Sequence, residues 1–210
     1  MLDDARTPNT AYAHSRQGCS TDTWETLAHH LSSVAKLAFD FGAPIGIAEL
    51  ARTTGLLHDV GKASVAFQAY LGAAGRAGVP TRGPDHSTAG AREAVRLFPP
   101  FAGRMMAAAI AGHHAGLGDG AELERRLDAA QHSIEGYDGW QSHAGPLPAA
   151  AALRPTRPLQ AGRYQGFSEA FLTRLLFACL VDADFLATEA FYDPTVRPPA
   201  TPTTLATLRD

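Results

Sequence analysis

Cysteine is nearly absent: Cys19 and Cys179 lie far apart and form neither a CxxC pair nor a zinc-ribbon spacing, which excludes a disulfide scaffold and a thiolate metal knuckle. Both are expected to be small buried hydrophobes in a protein of the reducing cytoplasm. No uninterrupted apolar stretch reaches membrane length and no cationic start leads into an apolar signal core, so neither spanning nor secretion is supported. Positive charge is also short. The formal charge of -3 excludes a globally basic surface, and a polyanionic partner must be attracted locally. Lysine occurs only as Lys36 and Lys62. No strand pattern, internal repeat, heptad or Walker A sequence is present.

What remains is ordered and helical. At 210 residues and 45% hydrophobic content, the chain fits one domain with a sizeable core. Trp24, Leu27, Leu31, Val34, Leu37, Ala38 and Phe41 recur at helical spacing, predicting an amphipathic helix over 23–41 with Ser20, Thr21 or Asp22 as its cap. His30 shares the apolar face, whereas His29 falls on the polar one. Further helices are expected over 47–58, 64–73, 85–98, 101–111 and 122–132. Segment 72–84, rich in Gly, Arg and Pro, reads as a loop, and 136–162 as a long surface excursion bordering the active site. Residues 168–190 are apolar nearly all round and predict a central helix. The fold class is therefore all-α, with 1–192 as the domain. The Pro/Thr-rich 193–210 is expected to be a linker in which Thr204–Leu208 begins a following region.

Chemistry concentrates at few positions. An adjacent imidazole and carboxylate, His58-Asp59, emerge from an apolar run and are followed by Gly61-Lys62. His30, His86, the doublet His113-His114 and the late pair Asp182 and Asp184 complete a set able to ligate two divalent cations. Imidazole with carboxylate suits first-row transition metals, whereas calcium takes oxygen alone. A shared carboxylate can hold two ions ~3.5–4 Å apart, one side activating water and the other stabilising a leaving oxygen, which points to phosphoester hydrolysis. Two carboxylates in an apolar helix are costly unless paired or metal-bound, so at least one of Asp182 and Asp184 is expected to be a ligand. Lys62 can hold a scissile phosphate as a point charge. Ser87 is a weaker substrate-binding candidate, as suited to N-capping; Gln68 reads equally as a surface amide, and His132 and His143 as exposed bystanders.

The ordered motifs resemble the HD superfamily of metal-dependent phosphohydrolases, and more specifically the HD nuclease of type I CRISPR systems. The resemblance rests on Ala13-His14-Ser15, Trp24 with His30-Leu31, Leu57–Ser64 with Phe67-Gln68, Asp85-His86-Ser87, His113–Leu117 and Leu180–Leu186 with Thr188-Glu189. It implies an HD-domain helical bundle around a central dinuclear site. His30, His58, Asp59 and Asp184 would hold one metal and Asp59, His86, His113 and His114 the other, with Asp59 bridging. Asp184 is preferred over Asp182 because its Asp-aromatic-Leu context matches the family's late aspartate. The implied activity is a DNase that hydrolyses single-stranded DNA in CRISPR interference, with Asp59 and Lys62 catalytic. Its partners would be a superfamily 2 helicase, fused or separate, and the CRISPR surveillance complex. The cofactors would be two divalent ions, Mn, Fe, Co, Ni or Zn, with Mg also accommodated. The alternative is an HD phosphohydrolase acting on nucleotides or cyclic dinucleotides; a module that kept the fold without activity is disfavoured because no ligand is missing.

Overall fold

A computed structural model describes residues 10–74, 83–134, 136–157, 159 and 162–195. Among these residues, eight α-helices and one small two-stranded ladder are present. The all-α expectation therefore holds, and the ladder is an addition to it. Strand β1 (Tyr12–His14) pairs antiparallel with β2 (Glu25–Thr26), placing His14 opposite Glu25. Thr26 then ends the strand and caps α1 (Leu27–Gly42), its hydroxyl accepting the His29 N–H at 3.2 Å. The cap thus lies later than Ser20–Asp22, because Thr21–Thr23 form a 3-10 turn and Glu25-Thr26 the second strand.

Helix α1 buries Leu27, His30, Leu31, Val34, Ala35 and Ala38 on one face. It packs chiefly against α2 (Ala48–Leu57) and α8 (Gln165–Tyr192). In α2, Thr53 and Thr54 are fully buried, and their hydroxyls donate to the carbonyls of Glu49 and Leu50 four residues earlier, which satisfies them inside the core. A 3-10 turn, Val60–Ala63, leads from His58-Asp59 into α3 (Val65–Ala74).

Helices α4 (Ser87–Leu97) and α5 (Pro100–Gly112) pack against each other, and two glycines let α4 close on the His-Asp turn. A Cβ on Gly61 would stand 2.1 Å from the His86 carbonyl oxygen, and one on Gly90 would stand 2.0 Å from that of Leu57. Neither position has room for a side chain. Pro100 starts α5 where its missing N–H costs nothing.

Helix α6 (Gly120–Leu127) is capped by Asp119 and stops five residues short of the expected His132. Arg92 of α4 donates to the carbonyls of Arg126, Asp128 and His132, stabilising a turn where a helix was expected. Segment 136–162 is also less superficial than expected. It contains α7 (Gln141–Ala144), and its Trp140 and Leu153 are 3% and 2% exposed in the core. No described residue of that segment lines the cavity beside Lys62, so among them the expected border with the site is not seen.

Helix α8 buries Leu172, Leu176, Leu180, Ala183 and Ala187 against α1 and α5, while Phe167, Phe171 and Phe185 face outward. It is a half-exposed wall of the bundle and not the enclosed helix its composition predicted. Cys179 is buried as expected, but Cys19 is exposed, because it sits in a turn before β2 that the core never covers. No helix among the described residues is long and apolar enough to cross a membrane. The expected linker lies outside the described residues from 196 onward, as does the centre of the 72–84 loop.

Candidate metal centre

Helix ends and one inward face gather the predicted residues. His58 follows the last turn of α2 and donates Nδ1–H to the Gly55 carbonyl at 2.7 Å; His113 follows α5 and does the same to Ile110 at 2.7 Å. His86 precedes α4, with Nδ1 3.1 Å from the Pro84 carbonyl. The same device fixes all three tautomers, because an imidazole whose Nδ1 carries the proton offers a lone pair at Nε2. His30, from the first turn of α1, turns Nδ1 towards the Glu25 carboxylate at 3.4 Å.

The four Nε2 atoms converge on Asp59 and divide between its oxygens. Oδ2 lies 3.3 Å from His30 and 3.3 Å from His58, while Oδ1 lies 3.3 Å from His86 and 3.5 Å from His113. Asp184 adds Oδ1 at 3.3 Å from His30 and 3.6 Å from His58. Two groups result, His30-His58-Asp59-Asp184 and Asp59-His86-His113-His114. Within each, one ligand atom per residue lies within 4.8 Å of the rest. Asp184 and not Asp182 enters the cluster, since two positions on a helix differ by about 200°. His86 and His114 approach to 2.9 Å between Nε2 atoms.

These donors fit metal ions on grounds internal to the structure. Both ring nitrogens of His30, Nε2 of His58 and of His113 and both Asp59 oxygens are buried without a hydrogen bond, Lys62 meeting Asp59 Oδ2 only as an ion pair, and His58 and Asp59 are 0% exposed. Orphaned buried lone pairs at such density are costly unless a cation accepts them. The electrostatics agree. Burial opposes charge on His30, yet Asp184, Asp59 and Glu25 outweigh it and raise its pKa to about 10; His58 is raised to about 9 against the same burial by Asp59 and Asp184. Burial likewise opposes ionisation of Asp59, and the positive charges of His58, Lys62 and His86 hold its pKa well below the usual range. His114 behaves oppositely, lowered to about 4 by burial and by neighbouring His113.

Lys62 extends from the turn, 5% exposed, with Nζ 2.7 Å from Asp59 Oδ2. Beside it opens a cavity of about 770 Å³, with His14, Lys62, His86 and His114 at its polar end and Phe67, Tyr70 and Tyr192 among its walls. Ser87 also lines it, but its hydroxyl accepts from Arg126 at 2.8 Å and lies 3.3 Å from Asp85. Gln68 is no surface amide. Its Nε2 donates to the carbonyls of Lys62 (2.6 Å) and Tyr12 (2.9 Å), fastening β1 to the Lys62 turn.

Several contributors escaped the sequence reading. Asp85 accepts the N–H and hydroxyl of Thr88, receives Arg126 at 3.1 Å, and meets His132 at 2.8 Å. Burial opposes its ionisation, and the Thr88 bonds with the Arg126 charge overcome it and depress its pKa. His132 is therefore part of the cavity wall and not a bystander, while His143 is half-buried and lies elsewhere. Glu25 is 4% exposed amid three imidazoles. Only its spacing of four and five residues before His29-His30 could have hinted at it.

The model of the HD domain family matches residues 27–144, more than half of the chain, and includes every residue of the two groups around Asp59 but Asp184. Among curated proteins none matches the chain. A crystal structure of a CRISPR-associated protein is similar over 93% of this chain with a TM-score of 0.50 and 20% identity. This chain spans 25% of that protein's length, and at that identity the likeness is one of fold.

Proposed function

The chain belongs to the HD domain family of metal-dependent hydrolases, and from that premise we propose that it is a nuclease that hydrolyses phosphodiester bonds of single-stranded DNA in CRISPR interference. The observation that carries this reading is the division of Asp59, one oxygen towards His30 and His58 and the other towards His86 and His113, behind a cavity that Lys62, His86 and His114 line. The proposed ligands are His30, His58, Asp59 and Asp184 for one ion, and Asp59, His86, His113 and His114 for the other. Mn, Fe, Co, Ni, Zn or Mg are the cofactors proposed for these nitrogen and oxygen donors.

Two divalent ions, when bound, supply a water nucleophile activated at neutral pH and charge stabilisation for the leaving oxygen. The chain's own residues do the rest. Asp59 joins the two halves of the site, and Lys62 places an ammonium at the cavity wall, where it offsets charge on a non-bridging phosphate oxygen. Ser87 is proposed as a lesser contact, because Arg126 already engages its hydroxyl. Phe67, Tyr70 and Tyr192 offer faces on which unpaired bases can stack.

A superfamily 2 helicase, fused or separate, and the CRISPR surveillance complex are the proposed partners. This is supported by the fold shared with a CRISPR-associated protein four times the matched length. Residues 1–192 are proposed as the nuclease domain, 193–210 as a linker, and the cytoplasm as its location. The cavity volume, about 770 Å³, also lies in the range of small-ligand pockets, which favours a nucleotide or cyclic dinucleotide as the second reading.

The test is incubation of the metal-loaded protein with labelled circular single-stranded DNA, blunt duplex and a cyclic dinucleotide. The circle is expected to be cut, less so as salt rises, with the duplex left largely intact. An intact circle under every metal tried, alongside hydrolysis of the dinucleotide, would replace the first reading with the second.

A further inference from the structure

We infer that Glu25 is a positioning residue for the proposed metal centre: its buried carboxylate, braced by His14 and His29, fixes the edge that His30 presents to Asp59 and Asp184. The inference rests on the metal reading given above and concerns a residue outside both ligand sets.

Construction begins in the backbone. The β1–β2 register sets His14 opposite Glu25, and Gln68 clamps Tyr12 by both its N–H (3.1 Å) and its carbonyl (2.9 Å), so β1 cannot shift independently of the Lys62 turn. The carboxylate, 4% exposed, is then surrounded by nitrogen. His14 Nδ1 lies 2.7 Å from Oε2, His29 Nδ1 3.0 Å from Oε1, and His30 Nδ1 3.4 Å from Oε2. The His14 ring stands edge-on to that of His30, with centroids 4.7 Å apart and planes at 88°, closing the remaining side.

His30 differs in this respect from its neighbours. His58, His86 and His113 direct Nδ1 at neutral backbone carbonyls, whereas His30, in the first turn of α1, has the charged Glu25 carboxylate there at 3.4 Å, an ion-pair contact outside hydrogen-bond geometry. A carboxylate behind a ligating imidazole selects the Nδ1–H tautomer, restrains ring rotation and makes Nε2 a better donor. His30 is 0% exposed, so water cannot take over that task.

The donor atoms of His14, Glu25 and His30 also lie within 4.8 Å of one another, so a third cation there is the rival explanation. Geometry argues against it. Two ligands at ordinary metal distances stand about 2.9 Å apart even at the right angle of an octahedral site, whereas His14 and Glu25 are separated by 2.7 Å, a charge-assisted hydrogen bond.

The experiment measures Mn(II) affinity by competition with a chelating dye for the full chain, Glu25→Gln, Glu25→Ala and His14→Ala, with helix content by circular dichroism. Glu25→Ala is expected to bind about 10–100-fold more weakly. Glu25→Gln, which keeps a carbonyl acceptor, should recover part of the loss, and His14→Ala should retain wild-type stoichiometry. Wild-type affinity in both Glu25 variants overturns the inference, as does loss of one whole equivalent of metal in His14→Ala, which would make the trio itself a metal site. Should the Glu25 variants fail to fold, imidazole ¹⁵N shifts of the zinc-loaded wild type decide: a proton on His30 Nδ1 upholds the inference, and one on Nε2 overturns it. A wild-type chain that binds no metal sinks the nuclease reading itself, whereas normal binding that ignores Glu25 sinks only this inference.

Discussion

Asp59→Asn should abolish cleavage, lowering turnover by about 10³-fold or more, because the one carboxylate serves both halves of the site. Its Oδ2 faces His30 and His58 and its Oδ1 faces His86 and His113. The amide keeps the volume, so the core does not collapse, but it removes the anion that a cation would share and that Lys62 pairs with at 2.7 Å. His86→Ala removes a ligand from one half only. Plasma mass spectrometry of the two purified variants should therefore find Asp59→Asn nearly metal-free and His86→Ala retaining about one equivalent. Equal metal content in both would show that Asp59 is not shared.

Metal removal should have the second-largest effect. Exhaustive chelation is expected to eliminate activity and to lower the melting temperature by about 10 °C. This follows from ~4 kcal/mol of linkage stabilisation at a thousandfold excess over Kd and a shift of ~2–4 °C per kcal/mol in a chain of this size. The helical fold should survive, because Lys62 remains against Asp59 and the imidazoles stay among the carboxylates. Scanning calorimetry with and without chelator, followed by restoration with Mn(II), measures this. A transition unmoved by chelation, with activity intact, would contradict it.

The helices and the clustering histidines were legible because both obey short-range rules. The 3.6-residue period separated buried His30 from exposed His29, and apolar runs ending at His58 and His113 announced helix termini that present imidazoles. Other features depend on contacts that no local pattern carries. A three-residue strand and a two-residue strand are too short to show alternation, so the ladder, and with it Glu25, stayed hidden. His132 finds Asp85 from 47 positions away, and Arg92 ends α6 by donating to carbonyls of another segment. Apolar content overstated the burial of α8, since Phe167, Phe171 and Phe185 lie on its outer face. The choice between Asp184 and Asp182 required the rotation of α8 about its axis, which packing against α1 and α5 sets.

The central claim, a pair of cations sharing Asp59, is most directly tested by anomalous diffraction from crystals of the manganese-loaded protein. Two peaks about 3.5–4 Å apart are predicted, one among His30, His58, Asp59 and Asp184 and the other among Asp59, His86, His113 and His114. A single peak, or density centred on His14 and Glu25 with none beside Asp59, would contradict it.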